Sequence, residues 1–319
     1  MANLVFSFSY ATINFNFARK INAINISGMD MRIIPLQQRT EAFVRLGRYF
    51  AIAAGGNIPD GRTDHAKLLQ NLIESKSVAS LHNPWFVTDN IDYSLQTWAD
   101  ALTEKNLQRW LARYADGLKS IKEPRTVAVV MAGNIPLVGF HDFLSVLVSG
   151  NRFLGKLSAD DAYLLPAAAR LLTAIEPLFA PFISFTTDKL TSFDAVIATG
   201  SNNTSRYFEY YFGRYPHIIR RNRNGIAVLT GNESTAELES LSHDIFHYFG
   251  LGCRNVSMIY VPRNYNFTSL AEACRQQYGH LDMHHKYMNN YSYQRAIFMM
   301  NNIRFIDSGF FLITENVSF

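Results

Sequence analysis

Arg125-Thr126-Val127-Ala128-Val129-Val130-Met131-Ala132-Gly133-Asn134-Ile135-Pro136 is the stretch whose reading decides the fold. Residues 126–131 form an unbroken apolar run, rich in β-branched side chains, as expected of a strand buried on both faces. The run stops at a turn containing Asn134 and Pro136, and a helical pattern over 137–148 follows, closed by Gly150. Beyond it the texture repeats. A strand is predicted over 152–157, then a helix over 162–176 with Ser158 and Asp160 as cap candidates. Residues 195–198 read as a strand ending in Thr199-Gly200-Ser201, and 202–211 as a helix. A strand over 225–230, a helix over 234–249 and a strand over 256–261 come next. Strands alternating with helices give βαβ units, hence an α/β fold with a parallel sheet. In such sheets ligands bind beyond the carboxyl ends of the strands, where Asn134, Lys156, Gly200 and Ser201 fall.

Working outward, residues 29–120 read as helical, with amphipathic segments over 34–49, 64–75 and 89–118 that place Trp98 and Trp110 on apolar faces. His82-Asn83-Pro84-Trp85-Phe86 reads as a turn whose aromatics pack. Residues 1–28 differ: they are rich in Phe, Asn, Ile and Ser and carry no acidic residue. They are expected to be a leader outside the core. They make a poor signal peptide, because Arg19-Lys20 follows the apolar part instead of preceding it.

The 319 residues are 48% hydrophobic and 18% charged, which fits a globular chain that buries roughly three quarters of its unfolded surface. A net charge of +4 lacks the clustered excess of a nucleic-acid binder. No apolar run reaches membrane-spanning length; that over 164–185 is broken by Arg170, Glu176 and prolines. Two cysteines make no disulfide framework, so a reducing, cytoplasmic setting is the expectation. Neither a Gly-x-Gly-x-x-Gly fingerprint nor a phosphate loop ending in Gly-Lys-Ser/Thr occurs.

Gly250-Leu251-Gly252-Cys253-Arg254-Asn255-Val256-Ser257 joins a helix to a strand. Glycines allow positive φ and close approach of a ligand. A thiol there can attack a carbonyl with backbone N–H groups beside it, although most free cysteines are simply small buried hydrophobes. Cys274 lies on an amphipathic pattern and reads as core.

Four pieces then fall in order: Asn134-Ile135-Pro136, Gly150-Asn151 with Lys156-Leu157-Ser158, Thr199-Gly200-Ser201, and Gly250-Leu251-Gly252-Cys253. With them the chain resembles the aldehyde dehydrogenase superfamily, and within it the LuxC-type acyl-CoA reductases, from about residue 125 to 262. The resemblance implies a Rossmann-type cofactor domain, about 29–215, and an α/β catalytic domain, about 216–319. It implies that Cys253 forms an acyl-enzyme thioester and that Asn134 donates to its oxyanion. Lys156 and Ser158 would hold the adenosine ribose or its phosphate, and Gly200 and Ser201 the pyrophosphate of NADPH or NADH. The activity implied is reduction of a long-chain acyl-CoA to the aldehyde. The alternatives are a CoA-acylating aldehyde dehydrogenase for short acyl groups and a truncated, non-reducing acyl-thioester-binding subunit. A homo-oligomer and an acyl-transferring or ligase partner are further implications.

Hydrolytic members carry a water-activating Glu in a region that here reads His217-Ile218-Ile219-Arg220-Arg221-Asn222-Arg223-Asn224-Gly225, without a carboxylate. Reduction needs no such water. The arginines would suit phosphates of CoA or a 2′-phosphate, or form a solvated strand edge. An unperturbed thiol titrates at ~8.5, so a base is sought among His217, His243 and His247, with His217 preferred. His280 and His284 share a helix-like spacing but have no partner cluster, and no metal is expected. Residues 303–307 and 310–314 read as a closing strand pair.

Overall fold

In the computed structural model, residues 33–56, 65–119 and 123–315 are described, and the expected leader over 1–28 lies outside them. The helical opening comprises α1 (Leu36–Gly55), α2 (Ala66–His82), α3 (Thr88–Ala101), α4 (Glu104–Leu111) and the short α5 (Ala115–Lys119). Then come β1 (Thr126–Val130), α6 (Phe140–Val148), β2 (Arg152–Lys156), α7 (Leu164–Ile175), β3 (Ile183–Thr186), β4 (Ala195–Thr199), α8 (Asn202–Phe212) and β5 (His217–Arg220). The remainder is β6 (Gly225–Val228), α9 (Thr235–Phe246), β7 (Val256–Tyr260), α10 (Thr268–Tyr278), α11 (His285–Met300), β8 (Phe305–Asp307) and β9 (Leu312–Thr314).

The chain divides into two compact units. The described residues up to His82, with Ile91–Arg221, make the first; Asn83–Asn90, with the described residues from Asn222 on, make the second. In the first, five parallel strands lie in the order β3-β2-β1-β4-β5. Val127, Ala128 and Val129 are almost fully buried, as an unbroken apolar run in a central strand requires. The chain builds outward from β1 through β2 to β3, then returns to place β4 on the other side of β1. That reversal opens a crevice between the carboxyl ends of β1 and β4. β3 and β5 were not visible in the sequence. Both are four-residue edge strands, half exposed, and need no continuous apolar run.

A cluster of phenylalanines fills the core of this unit. Phe43 of α1 meets Phe140, Phe143 and Phe179 at centroid distances of 6.3, 6.1 and 5.9 Å, mostly edge to face. Trp98 lies tilted against Phe140 at 4.6 Å, and Trp110 is buried, so both tryptophans pack as the sequence implies. Arg39 is buried among them and donates to the Val148 carbonyl at 2.5 Å; burial lowers its guanidinium pKa to about 10.

The second unit is smaller. β6 and β7 pair in parallel across α9, and β8 pairs antiparallel with β9. Its core gathers Leu238, Leu241, Phe246, Leu270, Cys274, Leu281 and Phe310. Cys274 is wholly buried, and burial pushes its thiol up to about 12, so it is inert packing.

Gly150 has φ +83°, and a Cβ there would meet Arg39 Nη1 at 2.6 Å. Gly150→Ala is therefore expected to lower the urea unfolding free energy by about 1–3 kcal/mol, from backbone strain and displaced Arg39 together.

Candidate active site

The carboxyl edge of the first unit's sheet collects most of the polar residues singled out from the sequence. Asn134 lies in the turn after β1. That turn is held by groups with no obvious signature. Ser94 Oγ, buried on α3, donates to Pro136 O at 3.0 Å. The Leu137 N–H donates to Asp161 Oδ2 at 3.1 Å. Leu137 itself has φ +56° with a buried side chain, so the turn is strained and fixed. Burial raises the Asp161 carboxyl to about 7, although the N–H groups of Leu137 and Leu164 pull the other way.

Lys156 ends β2. Its ammonium donates to Thr187 O at 2.9 Å and Asp188 O at 2.7 Å, which pins the loop after β3 and leaves one of its three hydrogens. Ser158 Oγ accepts the Asp160 N–H at 3.3 Å and stands 2.5 Å from where a Cβ on Gly133 would be. The exits of β1 and β2 thus touch through a position only glycine can fill. Gly200 follows β4, and its N–H donates to Arg220 O at 3.1 Å. A Cβ there would meet Phe208 and Thr204 of α8 at 2.8 and 3.1 Å, so helix and strand approach closely. Ser201 caps α8, accepting the Thr204 N–H at 3.1 Å. Asn134, Lys156, Ser158, Gly200 and Ser201 therefore share one edge of one sheet.

His217 does not. It opens β5 opposite Val196, at the amino end of the sheet, with Nδ1 2.8 Å from Tyr215 O. The carboxyl end of that strand is Arg220, which forms a bidentate pair with Asp142 of α6 at 2.6 and 2.8 Å. Burial alone would raise Asp142, but His141 and Arg220 bring it down to about 2. Arg221 pairs with Glu209 at 2.5 Å. Two of the three arginines read as possible phosphate ligands thus face carboxylates already.

Cys253 lies in the second unit and is exposed, not a buried hydrophobe. The helix predicted over 234–249 ends three residues early, at Phe246. Tyr248 and Phe249 take left-handed backbone angles, φ +52° and +59°, followed by Gly250 at +73°. Phe249 is held in an aromatic cage, 5.1 Å from Trp85, 4.5 Å from His284 and 6.2 Å from Tyr287. His284 Nε2 bonds to Pro84 O at 2.9 Å, which is how residues 83–90 join this unit. The Asn255 N–H donates to Gly252 O at 3.0 Å, closing a β-turn with Cys253 and Arg254 at its tip. Asn255 also grips the turn through its side chain, and Gly225 lies so close that a Cβ would meet Arg254 O at 2.6 Å. His243 and His247 stack at 4.5 Å, and His243 Nδ1 is 2.7 Å from Tyr278 OH. Burial, then His243, lowers His247 to about 4, leaving it neutral near pH 7. Among the described residues there is no group of acidic, His or Cys side chains able to hold a metal, and no helix long and apolar enough to cross a membrane.

Sequence comparison matches residues 101–273 to a family profile described as acyl-CoA reductase (LuxC). No curated protein matches the chain. Solved structures share its fold. Indole-3-acetaldehyde dehydrogenase in complex with NAD+ is 15% identical over 92% of this chain and 73% of that one, with a TM-score of 0.55. A protein from Burkholderia cenocepacia assigned as an aldehyde dehydrogenase is 13% identical over 85% of this chain, with a TM-score of 0.53. Proline utilization A from Corynebacterium freiburgense is 14% identical over 82%, with a TM-score of 0.55. The chain spans 64% of the Burkholderia protein and 28% of proline utilization A.

The raised Asp161 pKa makes a pH prediction. Between its ordinary value near 4 and about 7, the folded chain holds a proton that the unfolded chain has lost, so this carboxyl's contribution to stability falls as pH rises through that window. The unfolding free energy of the wild type, taken relative to Asp161→Asn in urea titrations, should decline from pH 4 to 7 and level off above.

Proposed function

Because the chain belongs to the LuxC acyl-CoA reductase family, with more than half its length matched, we propose that it reduces an acyl-CoA thioester to the aldehyde through an acyl-enzyme on Cys253. The observation that supports this best is the exposed Cys253 at the tip of a braced turn, inside the matched segment. The thiol, as thiolate, adds to the thioester carbonyl carbon. The C–S bond to CoA then breaks, CoA leaves as its thiolate and takes up a proton, and the acyl group remains on the Cys253 sulfur. Asn134 donates its side-chain N–H to the oxyanion in this scheme, with the Cys253 N–H as second donor. The stretch 217–225 carries no carboxylate to activate a water, which supports reduction over hydrolysis in this reading.

The residues at the carboxyl edge of the first sheet fit a dinucleotide. Gly133 and Gly200 leave no room for a Cβ where backbone meets side chain, and the amino end of α8 presents N–H groups to an anion. Lys156 and Ser158 are assigned to the ribose or its phosphate, Gly200 and Ser201 to the pyrophosphate. A dinucleotide held there, NADPH or NADH, would supply a hydride to the acyl carbon, with the C–S bond to Cys253 breaking to release the aldehyde and return the Cys253 thiolate. His217 is left out of the scheme, since its ring lies at the amino end of β5.

The test is oxidation of NADPH and NADH over a series of acyl-CoA chain lengths, with radiolabelled acyl groups to trap the thioester. Cys253→Ser should abolish both label and turnover, and Asn134→Ala should lower kcat by about 100- to 1,000-fold. Label on Cys253 without cofactor oxidation would instead support an acyl-carrying subunit. Full reductase activity in Cys253→Ser would end the thioester scheme.

A further inference from the structure

Among the described residues, the Cys253 turn is gripped by one side chain to which the scheme above gives no part. Asn255 Oδ1 accepts the Gly252 N–H at 2.8 Å, and Nδ2 donates to Asp244 O at 2.9 Å and His247 O at 3.0 Å. Both amide hydrogens and the carbonyl oxygen are therefore used. The left-handed run at Tyr248 and Phe249 lies just past the end of α9, between these two carbonyls and the Cys253 turn. Only a short side chain with two donors and one acceptor matches the set. Asp would put negative charge against two carbonyl oxygens, and Leu would remove all three hydrogen bonds.

The grip also separates two adjacent amides. The Gly252 N–H is committed to Asn255, whereas the Cys253 N–H makes no hydrogen bond among the described residues. We infer that Asn255 is the positioning residue of the nucleophile turn: it binds the Gly252 amide, sets the direction of Cys253, and leaves the Cys253 amide as the donor for the acyl oxygen. This rests on the thioester reading. It acts on the step in which an oxyanion develops, and not on the exposure of the sulfur.

The full-length chain with Asn255→Ala or Asn255→Leu tests it. Acyl-enzyme formation from acyl-CoA, measured as a single-turnover burst, should slow by about 10- to 100-fold, because small misplacements of a reacting group cost that much. The KM for acyl-CoA should stay within about threefold, as should alkylation of Cys253 by iodoacetamide, in which no oxyanion forms. An equal fall in alkylation and acylation, or no fall in either, overturns the inference. Hydrogen exchange on the wild type covers the case in which the variants do not fold: Gly252 should be protected and Cys253 should exchange at the rate of an open loop, and the reverse order overturns it. A wild type that takes no acyl label on Cys253 defeats the thioester reading. A labelled wild type with an unaltered Asn255→Ala defeats only the assignment to Asn255.

Discussion

Residues with side chains are held at positive φ on both turns assigned to the chemistry, and the supporting structure is arranged around that strain. Leu137, Tyr248 and Phe249 have φ of +56°, +52° and +59°. Each costs about 1–2 kcal/mol relative to a right-handed conformation and persists only where neighbours over-determine it. Leu137 is fixed from three sides: its side chain is buried, its N–H goes to Asp161, and the preceding carbonyl takes the Ser94 hydroxyl. Phe249 is fixed by Trp85 and His284, and the carbonyls on its amino side by Asn255. The residues that shape these turns are thus distinct from those assigned to react. Losing one frees the backbone to relax into an ordinary turn, with the reactive side chain still present.

The parallel sheet imposes the second constraint. With β1 in the centre and the order reversing at β4, every strand-to-helix exit of the first unit emerges on one edge. The exits are crowded there. Gly133 touches Ser158 and Gly200 touches α8, each at a distance that excludes a Cβ. Close approach of this kind is what allows backbone N–H groups, and not only long side chains, to line a crevice.

Much of this was legible from local sequence. β1 and β4 are short apolar runs that end at glycine-containing turns, and β2 follows Gly150-Asn151, so their carboxyl ends, and with them Asn134, Lys156 and Gly200-Ser201, could be placed. What escaped was whatever depended on an edge strand or a distant partner. The His217–Arg220 strand carries little apolar signal, and without it His217 read as part of the second half of the chain instead of the amino end of β5. β3 was hidden likewise, so the Lys156 contacts to Thr187 and Asp188 could not be foreseen. The end of α9 is not marked in the sequence because the apolar period continues through Phe249, and the partners that hold that ring off the helix, Trp85 and His284, are both distant in sequence. Asp161 gave no signal either, since Asp160 beside it is an equally good cap.

The buried polar groups also show why an amide, and not a carboxylate, serves at the nucleophile turn. Asp142 faces the Arg220 fork and His141, and stays ionised down to about pH 2. Among the described residues, Asp161 has only backbone N–H partners, and burial lifts it to about 7. A deeply buried carboxylate without a cation, such as Asp161, is therefore poised to change charge near neutrality, and its contacts change with it. Asn255 faces one N–H and two carbonyls. A carboxylate there would be repelled by the carbonyls when ionised, and when neutral would have one hydrogen for two acceptors. It would also set negative charge two residues from a thiol that reacts as its anion, which disfavours the thiolate. The asparagine amide satisfies all three groups at any pH in the working range and adds no charge beside the sulfur.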